Sequence, residues 1–244
     1  AIVFAYPFVW MLFSTFKADG EIGNIQLLPE IWTWQNYKLV FDRIPIARGF
    51  FNSLIVTSLV TLSVTIFGSI TGYAFSRLQW KGRDAMFSLS LLTMMIPFQI
   101  TLIPTYILIV QFGLTDHLAG LIVPTMITAF SILLFRQSFL TIPQDLVDAA
   151  RLDGCSELGI LFRIILPLSK PVVVTVAILT FVANWNEVLW PLIVIRDQSL
   201  MTMPQMVALF AVGGGSDSSI GAQLASALLL ALPVIIAYLI FQKH

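Results

Sequence analysis

Charge is what this sequence has least of. Only 11% of its 244 residues are charged, while 58% are hydrophobic. A soluble domain carries about 25% charged residues, so this chain cannot clothe a globular surface and its natural solvent is lipid. The formal net charge is zero, which leaves nucleic-acid binding without an electrostatic footprint. One cysteine, Cys155, excludes an internal disulfide. The two histidines, His117 and His244, stand far apart with no cysteine beside them, so no metal site is expected. No phosphate-binding G-x-x-x-x-G-K-S/T loop occurs, and neither H-E-x-x-H nor G-x-S-x-G is present. ATP hydrolysis and hydrolytic chemistry are therefore not expected of the chain itself.

What the chain has instead is long apolar runs. A spanning helix needs about 20 mostly apolar residues, and six segments meet or approach this: 1–16, 51–75, 85–112, 118–135, 171–195 and 222–241. The first reads as a span missing its start rather than a secretory signal, because no basic region precedes it. The third is interrupted by Pro97 and Pro104, where a kink would place Met94, Met95 and Gln99 as candidates to line a path. Gly68 and Gly72 form a small-xxx-small pair in the second span, a face suited to close helix packing. The expected fold is an all-α integral membrane protein, residues 1–244 forming a single domain of six transmembrane helices. An external loop covers 17–49, and a two-helix loop covers 136–170.

Basic residues orient it. Lys17, Lys38, Arg43, Arg48 and Arg196 fall in one set of connections. Arg77, Lys81, Arg83, Arg136, Arg151, Arg163, Lys170 and Lys243 fall in the other, in less total length. The positive-inside rule puts the second set, and with it the 136–170 loop, in the cytoplasm.

That loop is the most structured polar stretch. Thr141 is placed to cap a helix, with Gln144 reaching back and Pro143 in the first turn. The helix runs over 145–153 and stops at Gly154, which can adopt the left-handed conformation. Ser156 is placed to cap a second helix with Glu157 at its positive end. Leu158, Leu161, Phe162 and Ile165 follow at i, i+3, i+4, i+7 as one apolar stripe. The small residues of Asp148-Ala149-Ala150 allow close approach of another surface, and the acidic groups offer ion pairs. An amphipathic loop resting on lipid headgroups is the competing reading.

Asp148-Ala149-Ala150, Gly154 and Ile164-Ile165-Leu166-Pro167 resemble the "EAA" coupling loop of ABC importer permeases, with Asp in place of the first Glu. Gly72–Asp84, Ile103–Pro124 and Asn184–Leu192 look like the MalG-type permeases of carbohydrate importers. The resemblance implies that this chain is the transmembrane permease subunit of an ATP-driven, binding-protein-dependent importer of a carbohydrate or glycosylated osmolyte. It implies that Asp148, Ala149, Ala150, Asp153, Gly154, Glu157 and Phe162 meet an ATPase subunit. The implied partners are a second, MalF-like permease subunit, two ATPase subunits, an external substrate-binding protein and membrane lipid. ATP and Mg would bind on the ATPase subunits, with no cofactor on this chain. The implied location is a bacterial or archaeal cytoplasmic membrane. The sequence does not name the sugar.

Two further places are candidate sites. At about 100° per residue, Asn184, Asn186, Glu187 and Trp190 share one half of the fifth span, a polar arc with an aromatic ring that suits a sugar. A belt position for Trp190 at the outer interface is the alternative. An ion-coupled secondary transporter using Glu187 is the competing function. Residues 201–219 hold three consecutive glycines, Gly213, Gly214 and Gly215, a flexible tip. The resemblance assigns this loop to contact with the binding protein, while the residues alone also fit a plain connector.

Overall fold

The computed structural model describes residues 2–23, 26–213 and 219–241, with backbone alone at 2–5 and 237–241. Among these residues there are helices and no strands. The chain runs through α1 (Ile2–Ser14), α2 (Gln35–Arg43), α3 (Ile46–Arg77), α4 (Arg83–Thr93), α5 (Phe98–Gln111), α6 (Leu118–Ile122) and α7 (Ala129–Leu140). It continues through α8 (Gln144–Leu152), α9 (Glu157–Ile160), a π-helical turn (Leu161–Ile165), α10 (Leu166–Leu168) and α11 (Lys170–Trp185). It ends with α12 (Leu189–Val194), α13 (Met203–Gly213) and α14 (Ile220–Phe241).

α3 is the one described helix long and apolar enough to cross a membrane unaided. It has 32 residues, with Arg48 and Arg77 as its charged groups near either end and no interior proline. At helical rise it spans about 48 Å, more than a hydrocarbon core of about 30 Å. Phe51, Ile55, Leu59 and Leu62 stand exposed along it, where lipid would supply the missing partners.

The third and fourth expected spans are bent within their runs. α4 and α5 meet at 100° rather than forming one run over 85–112. Pro97 is the cause: it offers no N–H and biases the residue before it toward extended backbone, and its own ψ is 137°. Pro104 sits inside α5 without ending it. The 118–135 run bends by 44° before α7, where the Thr128 side chain accepts from the Ser131 backbone N–H at 3.2 Å. A third bend of 87° separates the 157–168 stretch from α11. Counting each bent pair as one span gives up to four crossings by length and composition.

The chain divides into two compact units, Ala1–Leu54 with Trp185–Lys243, and 55–184 with His244. In the first, α14 packs on α1, α2 and α13. The Asn36 side chain donates to the carbonyls of Thr15 and Lys17, both at 2.9 Å, and accepts from the Ser219 hydroxyl at 3.0 Å. In the second, α3 lies against α7 at the two glycines the sequence singles out. A Cβ on Gly68 would meet Ser131 Oγ at 2.5 Å, and one on Gly72 would meet Phe135 Cβ at 2.6 Å. The small-xxx-small pair is therefore a close-packing face, as expected.

Candidate functional site

The 144–168 stretch folds as a helical hairpin. α8 ends in a Schellman arrangement: the Gly154 N–H donates to the Arg151 carbonyl and the Cys155 N–H to the Ala150 carbonyl, both at 3.0 Å. Gly154 has φ +78°, the left-handed conformation its position calls for. The Ser156 side chain caps α9 by accepting from the Gly159 N–H at 3.2 Å. Two sequence expectations are corrected. Thr141 does not cap α8; its hydroxyl turns back to the Ser138 carbonyl at 2.8 Å, because residue 141 closes α7. The stripe of Leu158, Leu161, Phe162 and Ile165 does not form either. Ile160, Leu161 and Ile165 are buried while Leu158 and Phe162 face out, and residues 161–165 form a π turn rather than α-helix. A π turn carries more residues per turn than the 3.6 on which the stripe was counted.

The hairpin presents Asp148, Ala149, Asp153, Gly154 and Phe162 to the outside. Ala150 is buried and Glu157 is half-buried. Leu152 joins the outward face at 89% exposure, with Leu146 and Leu158 beside it in sequence. Sequence reasoning placed Leu158 only in the apolar stripe and did not single out Leu146 or Leu152, although nine-residue α8 has room to bury only one face, here Val147 and Ala150.

A chain of polar side chains runs behind the hairpin. The Tyr73 hydroxyl donates to Glu157 Oε2 at 2.5 Å. Arg151 grips the same carboxylate with Nε to Oε1 at 2.8 Å and Nη2 to Oε2 at 3.2 Å. Arg151 Nη1 reaches Asp148 Oδ1 at 3.2 Å, and Gln144 Nε2 donates to that oxygen at 3.0 Å. Gln144 Oε1 accepts from Arg77 Nη1 at 2.6 Å, and Arg77 Nη2 donates to the carbonyls of Phe139 and Ile142. The Arg151 hydrogen bonds hold the Glu157 carboxyl below its usual range, and Glu157 in turn pushes Arg151 up. Of these residues, sequence reasoning named only Asp148 and Glu157 as site residues. Tyr73 and Arg77 carry one readable signal, polar groups one turn apart at a helix end.

The polar arc expected around Glu187 is not a continuous helical face. α11 stops at Trp185, residues 186–188 are non-helical, and α12 begins at Leu189. Positions beyond the break cannot be projected at 100° per residue from positions before it. Asn184 donates to the Thr180 carbonyl at 3.0 Å. Glu187 Oε1 accepts from the Trp190 backbone N–H at 3.1 Å, satisfying one of the free donors at the start of α12. Trp190 itself is only 3% exposed, so its ring is not open for a sugar to stack on. Trp185 is fully buried, with its indole N–H on the Leu230 carbonyl at 3.1 Å and its ring edge-on to Phe50. Met94, Met95 and Gln99 lie exposed at or near the α4–α5 break.

The 201–219 stretch is not all loop. Met203–Gly213 is helical and buries Met203, Gln205, Met206 and Phe210. Its start is held by the Ser53 hydroxyl, which accepts from the Met203 N–H at 2.8 Å. Gly213 is the helix's last residue, while Gly214 and Gly215 lie outside the described residues. No cluster of metal-ligating side chains occurs among the described residues.

Comparison with known proteins gives these features a context. Residues 64–244 match the family model described as "Binding-protein-dependent transport system inner membrane component". The chain is 34% identical to the arabinooligosaccharides transport system permease protein AraQ of Bacillus subtilis, covering all of this chain and 88% of that protein. It is 36% identical to the probable ABC transporter permease protein YurM of the same organism, covering all of this chain and 81% of that one. Among solved structures, it superposes with a TM-score of 0.87 and 25% identity on a chain of a bacterial ABC transporter involved in the import of the acidic polysaccharide alginate, covering all of this chain and 91% of that one.

Proposed function

From the premise that this chain belongs to the family of binding-protein-dependent transport system inner membrane components, and is the permease subunit of an ABC importer, we propose that its cargo is an oligosaccharide or another glycosylated solute. What supports this is the cargo of its relatives, arabinooligosaccharides for one and alginate for another. The chain contributes half of the translocation path through six membrane crossings, several of them broken helices. Broken helices suit a path, because irregular backbone at membrane depth is tolerated where it lines a cavity. Asn184, Asn186 and Glu187 are the polar groups assigned to that path. Gly213, Gly214 and Gly215 are assigned to contact with the external binding protein, on the resemblance of the sequence alone. A second permease subunit and two ATPase subunits, which bind ATP and Mg, complete the assembly.

The observation that carries the docking assignment is the outward face of the hairpin. Leu146, Leu152, Leu158 and Phe162 stand exposed with Asp148 and Asp153 on the same short segment. An apolar surface edged by acid fits a protein cleft with basic groups on its rim. The test is reconstitution of the complex in liposomes with the binding protein and a labelled arabino-oligosaccharide mixture. Uptake should require ATP and persist with a protonophore. Uptake that ignores ATP and collapses with the protonophore would overturn the assignment.

A further inference from the structure

The polar chain behind the hairpin closes on itself. It leaves α3 at Tyr73, passes through Glu157, Arg151, Asp148 and Gln144, and returns to α3 at Arg77, one turn from where it began. Both helices of the hairpin are members, α8 through Gln144, Asp148 and Arg151, and α9 through Glu157. Tyr73 is 3% exposed and Arg77 8% exposed. We infer that Tyr73 and Arg77 are positioning residues that clamp the hairpin to the cytoplasmic end of α3, so that a displacement imposed on the hairpin is delivered to this spanning helix as a rigid-body movement.

The argument is energetic. If the hairpin slid or tilted against α3, Tyr73 would lose its Glu157 partner and Arg77 its Gln144 partner while both stayed buried. A buried donor without a partner costs more than the bond contributes when formed. Both contacts from α3 to the hairpin are charge-assisted, Tyr73 to the Glu157 carboxylate and Arg77 to the Gln144 side-chain oxygen, and such bonds are about twice as strong as neutral ones. Arg77 also holds the carbonyls of Phe139 and Ile142, so the end of α7 is fixed to the same point. A ring has no free end, so every member resists the same displacement. A single salt bridge would leave the hairpin free to swivel.

The inference rests on the reading of the hairpin as the ATPase dock, and the test separates the two. Spin labels are placed on Cys155, exposed between the two hairpin helices, and on a cysteine introduced at exposed Gln79, just past the end of α3. Distances are measured by pulsed electron resonance in the reconstituted permease–ATPase complex, whose other subunits carry no cysteine. One sample has no nucleotide and the other has ATP with vanadate. The clamp predicts one narrow distribution that shifts between the two by no more than about 2 Å, the scale of ordinary helix adjustment. Tyr73→Phe, which removes one oxygen, should broaden it and allow a shift of several ångströms with nucleotide. Arg77→Lys, which keeps the charge and loses the fork, should do the same. A large nucleotide-driven shift in the unmodified chain would overturn the clamp, as would Tyr73→Phe and Arg77→Lys distributions as narrow as its own. If no ATPase subunit copurifies, the docking reading fails instead, and the same labels in the permease alone still report whether Tyr73→Phe loosens the hairpin.

Discussion

At Gly154 the backbone sits at φ +78°, and no atom lies within 4 Å of where a Cβ would be built. A side chain here meets open space, so a substitution is felt only through the backbone. Placing an L-residue in the left-handed region costs about 1–2 kcal/mol, and asparagine tolerates that region better than alanine. Gly154→Ala should therefore lower the amount of ATPase subunit that copurifies with the chain, and Gly154→Asn should restore part of it. Equal recovery from all three proteins would show that the Schellman turn is not needed for docking. Gly68 and Gly72 are the opposite case: their φ is ordinary, and what they provide is room, since a Cβ at either would collide with α7. The sequence announces both kinds of glycine, one by its place between two short helices and the others by their spacing. It does not announce Tyr73 or Arg77 as members of a ring. Their partners stand 84 and 67 residues away, and no local period connects them.

Elements were less legible than residues wherever a helix breaks. Hydropathy marks 171–195 as one apolar run, and it is apolar throughout apart from the Asn184–Glu187 segment, but hydropathy does not record where the backbone leaves the helix. The break at 186–188 changes the meaning of two side chains. Glu187 becomes the acceptor for the first turn of α12, and Trp190, expected on an open polar arc, is buried. Trp190→Ala should accordingly act as a core truncation, costing about 3–5 kcal/mol of stability and appearing as lost yield and a lower Tm in detergent. Glu187→Gln keeps an oxygen for the Trp190 N–H and should retain substantial ATP-driven uptake. A Trp190→Ala protein with normal Tm and a raised KM for saccharide would restore the ring to the substrate path. The π turn at 161–165 is the same lesson on a smaller scale, since the period changes inside the expected stripe, where Leu158 and Phe162 face outward and Ile160 is buried.

At the scale of the whole molecule, the chain was readable as a membrane permease because its low charge and the twenty-residue coupling motif do not depend on local geometry. On the proposed docking of the hairpin to an ATPase subunit, the outward face of the hairpin indicates what would hold the two together. Asp148 is already engaged by Gln144 and Arg151 within the chain, so much of its charge is answered before a partner arrives. Exposed ion pairs are worth about 0–1 kcal/mol and are screened over about 8 Å at physiological salt. Burying one fully exposed leucine contributes about 1.5–3 kcal/mol. By this comparison the apolar groups would dominate the proposed joint and the acids would orient it. Leu152, at 89% exposure, can be changed without disturbing anything beneath it. Leu152→Asp should leave the Tm of the isolated chain where it was and weaken ATPase copurification by about ten-fold or more, whereas Asp153→Asn should weaken it only slightly and chiefly at low salt. If the order is reversed, with Asp153→Asn severing the complex and Leu152→Asp tolerated, then charge holds the joint, and raising the salt concentration should release the ATPase subunits from the unmodified protein.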